Sequence, residues 1–345
     1  LNWHFDETYI LLFRQKGWWW HLAKSLARYW FDWPFRFKSR KDRRLTLGNA
    51  LAGGLRLALN ERKVPLWLNS PMQSLVEEDG RVTGAIITRD GRTMRVGARK
   101  GVILAAGGFD KNQKMRGEHA PLYQNALYSG GTSGNTGDAI SAGVAAGADT
   151  MNMHSAWAAP VWYIPGEDRG RLCTIERALP GCIMVNQRGE RYLNEAASYH
   201  IVGQQMARRH AEHGDASPSW FVFDAHYRHK YPAGPLLPLL PDAMQGGAVK
   251  QILKKGRTVA ELAADMGVDA AALEATIARF NANAAQGTDP DFHRGDAAYD
   301  KMYGDPRVTP NPSLAPLSKG PPYAMPIYPG DTGTNGAPHT DDRAR

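Results

Sequence analysis

Apolar positions change their period several times along the chain, and each change marks an element. Leu47, Leu51, Leu55, Ala58 and Leu59 recur at helical spacing, whereas Val64 to Leu68 reads as a strand closed by Asn69, Ser70 and Pro71. Three alternating runs follow, Leu75 to Glu77, Val82 to Thr88 and Thr93 to Ala98, separated by the turn sequences EDGR and RDGR. Asp-Gly between such runs is a hairpin signal, so an antiparallel meander is expected there. In GVILAAGGFDKN, residues 101–112, Val102 to Ala105 are apolar on both faces, the pattern of a central strand covered on two sides. Gly107 and Gly108 end it either in an ordinary tight turn or where a ligand lies against the backbone. A second glycine-rich run, GGTSGNTGDAISAG at 130–143, leads into a helix beginning near Asp138. That carboxylate can cap the helix or accept a hydrogen bond from a ribityl or ribose hydroxyl.

Further along, Phe221, Val222 and Phe223 read as a strand, Asp224 as a helix N-cap and Pro232 as the end of the short helix between them. Tyr227 and Tyr231 fall four residues apart, on one face of that helix. The loop PAGPLLPLLPD, residues 232–242, is apolar but punctuated by prolines, so it forms neither regular helix nor central strand. It suits the wall of a hydrophobic pocket or a cover over the core. The TVAE capping box predicts a helix from Thr258, and a second is expected from Asp269 to Asn283. The sum is an α/β sheet carrying a small β insertion.

Composition narrows the classes. With 345 residues, 43% of them apolar, the chain can bury a large core and is expected to form two domains. Cys173 and Cys182 are too few for a disulfide framework and are read as plain thiols in a reducing, cytoplasmic setting. No apolar run reaches the roughly 20 residues of a spanning helix, and no signal peptide is evident. The pairs His210/His213 and His226/His229 have helical spacing but no third ligand nearby, so no metal centre is expected.

The net charge of +8 is concentrated in one place: residues 14–44 hold ten Lys or Arg against Asp32 and Asp42, which leaves the remainder neutral. The same segment carries Trp18, Trp19, Trp20, Trp30 and Trp33, with Trp19, Leu22, Leu26, Tyr29 and Trp30 on one helical face and His21, Lys24 and Arg28 opposite. That pattern fits a helix at a membrane surface, and equally one packed on its own protein with a solvated basic face. No nucleic-acid module accompanies it, so no nucleic acid is expected as partner.

Taken together, GNALAGGLRLAL, VPLWLNSPMQSLVEEDGRVTGAI, GVILAAGGFDKN, NTGDAISAG, MVNQRGERYLNEA, LEATIARFNANAAQGTDPDFHRGDAAYD and GPPYAMPIYPGDTGTNG make the chain resemble the FAD-dependent 3-ketosteroid Δ1-dehydrogenase group. That group lies within the wider fumarate reductase and succinate dehydrogenase flavoprotein class. The resemblance implies an α/β fold with an α+β cap. A partial, Rossmann-like FAD-binding domain would span 1–184, with the meander as its insertion and 14–44 as a basic aromatic excursion. The catalytic cap would span 185–325, and 326–345 would return to the FAD-binding domain. It implies FAD as cofactor, with Ala105, Ala106, Gly107 and Gly108 along the dinucleotide, the backbone near Met72 at the adenine, and Asn135, Thr136, Gly137 and Asp138 in contact. By the same resemblance Tyr231 removes a proton beside the ketone of a steroid-like apolar substrate while hydride leaves for the flavin, Tyr227 being the alternative carrier. The electron acceptor stays open.

Fumarate or succinate chemistry is the second expectation, because Arg191 aligns with that branch's proton-donating arginine. The histidines that bind dicarboxylate there would fall near Ala159 and near Thr332 or Gly333, none of which is histidine. In the ketosteroid reading Arg191 is structural. The strand, GxGxxG and helix that hold the FAD pyrophosphate, and a final tyrosine- and glycine-rich run, are not found in the chain, which is therefore expected to be an internal portion of a longer flavoenzyme.

Overall fold

The computed structural model describes residues 3–344. Contacts divide the chain into two compact units: one runs to Pro71 and includes Thr88–Thr93, and the other comprises Met72–Ile87 and everything from Met94 onward.

The first unit is helical, with α1 (Phe5–Leu12), α2 (Trp18–Phe31), α3 (Trp33–Arg36) and α4 (Leu47–Glu61). Phe13 is buried at its centre, edge-on to Tyr9 at 4.6 Å. The segment after α3 is tied back across α2: the Tyr29 hydroxyl donates to the Arg40 carbonyl, and the Arg36 guanidinium lies 4.1 Å over the Tyr29 ring. On α4 the predicted helix forms, yet Leu47, Leu51 and Leu55 are 81, 66 and 59% exposed. The strand expected at Val64 to Leu68 does not form. A strand exists only through hydrogen bonds to a neighbour, and among the described residues none pairs with this run.

A meander follows, β1 (Met72–Glu78), β2 (Arg81–Arg89) and β3 (Arg92–Gly97), hydrogen-bonded in that order, with Met72 opposite Ile87 on the antiparallel β1–β2 pair; apart from its Thr88–Thr93 tip it belongs to the second unit. GVILAAGG departs from expectation. Residues 101–108 hold no strand, and Ile103 is 91% exposed. The reason is again a missing partner: no described strand runs beside Val102 to Ala105, so the apolar run is left open.

The remaining elements are α5 (Gln113–His119), α6 (Asp138–Ala145), β4 (Thr150–Met151), β5 (Ala156–Trp162), β6 (Arg171–Leu172), β7 (Cys182–Val185), α7 (Tyr199–His213), β8 (Ser219–Asp224), α8 (Ala225–Lys230), α9 (Gly247–Ile252), β9 (Lys254–Lys255), α10 (Val259–Met266), α11 (Ala270–Ala284), α12 (Ala298–Met302), β10 (Pro322–Thr334) and β11 (Ala337–Pro338). The main sheet runs β6-β5-β10-β8-β7, with β9 also on β10, and its pairings are antiparallel. The described part is therefore mixed α/β with antiparallel sheets rather than a parallel doubly wound core.

Long β10 joins two halves of this sheet: Pro322 to Ile327 pair with β8, and Tyr328 to Thr334 pair with β5. Strands buried on both faces need apolar residues at nearly every position, which explains SWFVFD in β8 and CIMV in β7, all buried. Helices α10 and α11 cover one face through Leu262, Leu273, Ile277 and Phe280, packed on Ile183, Val222 and Ala324.

Candidate active site and cofactor cradle

Two segments far apart in sequence meet at the GGF turn. Gly107 has φ +84°, and a Cβ there would lie 2.5 Å from Asn135 Oδ1; Gly137, at φ +82°, N-caps α6 and would press a Cβ to 2.5 Å from Met115 Sδ. Only glycine meets both demands. The Gly137 amide donates to the Gly108 carbonyl at 3.0 Å, and Asn112 Nδ2 to the Thr136 carbonyl at 2.9 Å. Below them Asp110 fixes the arrangement, its Oδ1 accepting from the Thr334 amide at 2.6 Å and its Oδ2 from Asn135 Nδ2 at 2.5 Å. Asp331 is buried against Arg116 at 2.7 Å and takes the Ser129 hydroxyl at 2.6 Å. Burial pushes its carboxyl above the usual range despite the arginine.

Every residue expected along the cofactor thus lies in the second unit. Ala105, Ala106 and Gly107 are exposed, Gly108 lies beneath, and Asn135 and Thr136 abut the turn. Met72 opens β1, which packs against α6. Asp138 is the first residue of α6 rather than its cap, because Gly137 takes that place; its exposed carboxylate accepts from Thr136 Oγ1, at 2.9 Å. An outward backbone, a helix start and an open carboxylate fit the sugar and base of a dinucleotide. None of these residues carries a positive charge for its phosphates.

The tyrosines occupy a second cluster. Asp224 caps α8 by accepting from the Tyr227 amide at 2.9 Å, and its other oxygen accepts from the Lys319 amide at 2.9 Å. Tyr231 is the C-cap of α8 in extended conformation, its ring edge-on to Tyr227 at 5.2 Å. Tyr227 is fully buried, with its hydroxyl 2.7 Å from the Glu176 carbonyl and 3.1 Å from that of Pro232. Burial, with Cys182 and Glu176 nearby, drives its pKa far up.

Tyr231 is 1% exposed and donates to Asp305 Oδ2 at 2.6 Å. Lys230 Nζ, at 2.9 Å, and Arg307 share that carboxylate. Burial and the Asp305 charge raise the Tyr231 pKa, whereas Asp305 is held well below the carboxylate range because hydrogen bonds from Arg307, Tyr231 and Lys230 outweigh its burial. The phenol is therefore a neutral donor to an ionised acceptor. Asp305, Lys230 and Arg307 escaped the sequence reading: Asp305 lies 74 residues from Tyr231, and no periodicity links them.

The apolar loop after Tyr231 is latched by Arg228, whose guanidinium donates to the Leu237 carbonyl at 2.9 Å, the Leu240 carbonyl at 2.6 Å and Asp242 at 3.0 Å. Leu236 points into the core, while Leu237 and Leu239 are 59 and 54% exposed. Arg191 is saturated elsewhere, paired with Glu195 at 2.8 Å and Asp289 at 2.9 Å and flanked by the rings of Phe280 and Phe292. Burial opposes its charge, but those two carboxylates overcome it and push its pKa up. Cys173 and Cys182 are buried free thiols, and burial pushes Cys182 up to about 12.

The glycine-built turn at Gly107 and Gly137 is one candidate site, and the buried Tyr231–Asp305 pair is another. The chain belongs to the FAD binding domain family, whose profile matches residues 15–345, so FAD is its cofactor. It is similar to the 3-oxosteroid 1-dehydrogenase of Mycolicibacterium smegmatis, 38% identical over 312 residues, 87% of this chain and 54% of that protein. It is also similar to the 4-oxocyclohex-2-ene-1-carboxylate 5-dehydrogenase of Sinomonas cyclohexanicum, 39% identical over 91% of this chain and 53% of that protein. Among solved structures, the 3-ketosteroid Δ1-dehydrogenase of Sterolibacterium denitrificans in complex with 1,4-androstadiene-3,17-dione matches with a TM-score of 0.93 and 44% identity, covering 100% of this chain and 62% of that one. The probable fumarate reductase Ifc3 of Shewanella frigidimarina stands further off, at 26% identity over 72% of this chain and 39% of that protein. The chain spans about half the length of the curated relatives it matches.

Proposed function

We propose that the protein carrying this chain dehydrogenates the C1–C2 bond of 3-ketosteroids. The observation that carries this reading is the match, at 44% identity over all of this chain and 62% of the other, to a dehydrogenase solved with a steroid dienone. When bound, FAD supplies the hydride acceptor. The chain's own residues supply the proton path. A tyrosinate at Tyr231 is disfavoured by burial and by Asp305, so the phenol oxygen accepts the proton from the carbon beside the ketone while its own proton passes to Asp305 Oδ2, 2.6 Å away. Lys230 and Arg307 keep that carboxylate ionised between turnovers. Tyr227 packs edge-on against the Tyr231 ring, with Phe221 and Phe223 packed behind Tyr227, an aromatic setting that suits an apolar ring system.

The division into a flavin-binding part at 1–184 and 326–345 and a catalytic cap at 185–325 belongs to this proposal. It is supported by the change of partner along β10 between Ile327 and Tyr328. A smaller cyclic ketone is the second reading, favoured by the 39% identity to the oxocyclohexene carboxylate enzyme. Dicarboxylate chemistry is not favoured. Ala159 and Thr332 do lie near one another on the paired strands β5 and β10, but neither binds a carboxylate as histidine would, and Arg191 is already bound to two carboxylates.

The test is Tyr231→Phe in the complete flavoenzyme. Steroid turnover should fall at least about 100-fold, the range of a positioned acid or base, with FAD content unchanged. Near-normal turnover would move the proton transfer to Tyr227 or to a residue outside this chain.

A further inference from the structure

We propose that residues 14–44 dock the protein onto the surface of an anionic lipid bilayer, with α2 lying in the plane of the headgroups. Around α2 the structure turns the rings outward. Trp19, Trp20 and Trp30 are 62, 60 and 65% exposed, Phe31 is 81%, and the following turn adds Trp33 at 62% and Phe37 at 82%. The buried residue of α2 is Ser25, with Leu22 and Tyr29 partly covered beside it. A helix packed on its own protein would bury Trp19 and Trp30 and expose serine. Here Ser25, flanked by Leu22 and Tyr29, is the inward side, and six aromatic rings stand exposed, more apolar surface than a solvated helix carries.

The charges decide what covers it. Arg28 pairs with Asp42, Arg36 and Arg43 with Asp32, and Arg44 with Glu7. Among the described residues no carboxylate is paired with Lys16, Lys24, Lys38, Arg40 or Lys41, and Lys24 lies next to Trp20 and Phe31 around the helix. Exposed tryptophans bordered by unneutralised lysines match the interfacial zone of a membrane, where indole sits at the carbonyl level and ammonium at the phosphates. A second copy of this face would bring the same positive charge against it. At 14 residues α2 is too short to span, and no described helix is long and apolar enough to cross a membrane. The helix therefore lies on the bilayer.

The experiment is co-sedimentation of the complete flavoenzyme with phosphatidylcholine vesicles, with and without phosphatidylglycerol, followed also by tryptophan emission. Binding to the anionic vesicles, with a blue shift and weakening by salt, is expected. Lys24→Gln with Lys41→Gln should weaken it about thirtyfold, at about fivefold per charge. Trp19→Ser, Trp30→Ser and Phe31→Ser together should abolish it, while turnover of a dissolved substrate stays unchanged in both variants. Equal binding to neutral and anionic vesicles, or binding indifferent to these substitutions, would overturn the proposal. So would vesicle-independent self-association that the triple variant removes, which would make the face a contact between copies. Loss of turnover in Tyr231→Phe bears only on the dehydrogenase reading.

Discussion

Glu195 shows how much one side chain carries here. It is fully buried between Arg191, at 2.8 Å, and Arg294, at 3.2 Å, and also accepts from the Met184 amide. Burial alone would raise its pKa, but the two guanidinium groups outweigh it and bring it from 4.5 down to about 2. A carboxyl lowered on folding stabilises the native state fully above its unfolded pKa and ceases to do so as pH falls through the folded one. Stability in urea should therefore hold near neutral pH and decline between about 4.5 and about 2. Glu195→Gln should cost about 3–5 kcal/mol at neutral pH, because Arg294 would be left buried with only the Leu179 and Cys182 main-chain carbonyls and the Cys182 sulfur. It should also flatten the acid decline. A variant as stable as the parent at pH 7, with the same acid slope, would count against this account.

Helix ends set by local chemistry were legible in the sequence, as were β8 and the meander, but two apolar runs were read as strands although no described partner lies beside them. Asp224, Thr258 and Asp269 all cap helices, accepting from Tyr227, Glu261 and Ala272 amides, and a cap needs only residues within four positions. Thr258→Ala should lower stability by about 1 kcal/mol, read as a shift in urea midpoint with unchanged slope. The strands read at 64–68 and 101–105 failed because β pairing depends on a neighbour that no local pattern discloses. Of the candidate residues, the glycines could be read as turns and Tyr227 with Tyr231 as neighbours, whereas Asp305, 74 residues from Tyr231, carries no local signal. Arg228 is the sharper test at this scale. Its three bonds to the 237–242 loop make Arg228→Met a loop-loosening change. Limited proteolysis should then cut near Leu237–Leu240 several times faster while the melting of the sheet core shifts little. Unchanged cleavage would mean that the prolines, not the latch, hold the loop.

At the scale of the molecule, apolar surface stands open beyond α2 as well. Leu47, Leu51 and Leu55 line the outside of α4, and Ile103 projects from an extended run with no strand beside it. Such surfaces attract partners, including further copies of the chain. The cofactor cradle meets a similar limit. Ala105 to Gly108 and Asn135 to Asp138 offer backbone, amide and one carboxylate, none of which balances two phosphate charges. Oriented amides at a glycine-rich helix start do that in dinucleotide folds, but the helix start here, at Gly137, carries the Asp138 carboxylate in its first turn, which repels phosphate. These 345 residues expressed as an isolated polypeptide should therefore purify without flavin colour, show no steroid dehydrogenation and grow in mass with concentration by light scattering. Replacing Leu51 and Leu55 by Gln should reduce that growth without restoring flavin, because the apolar face and the missing phosphate contacts are separate deficits. A monodisperse yellow preparation that reduces a dye with a 3-ketosteroid would refute the argument at its root, since it would mean that the cradle as it stands holds the cofactor unaided.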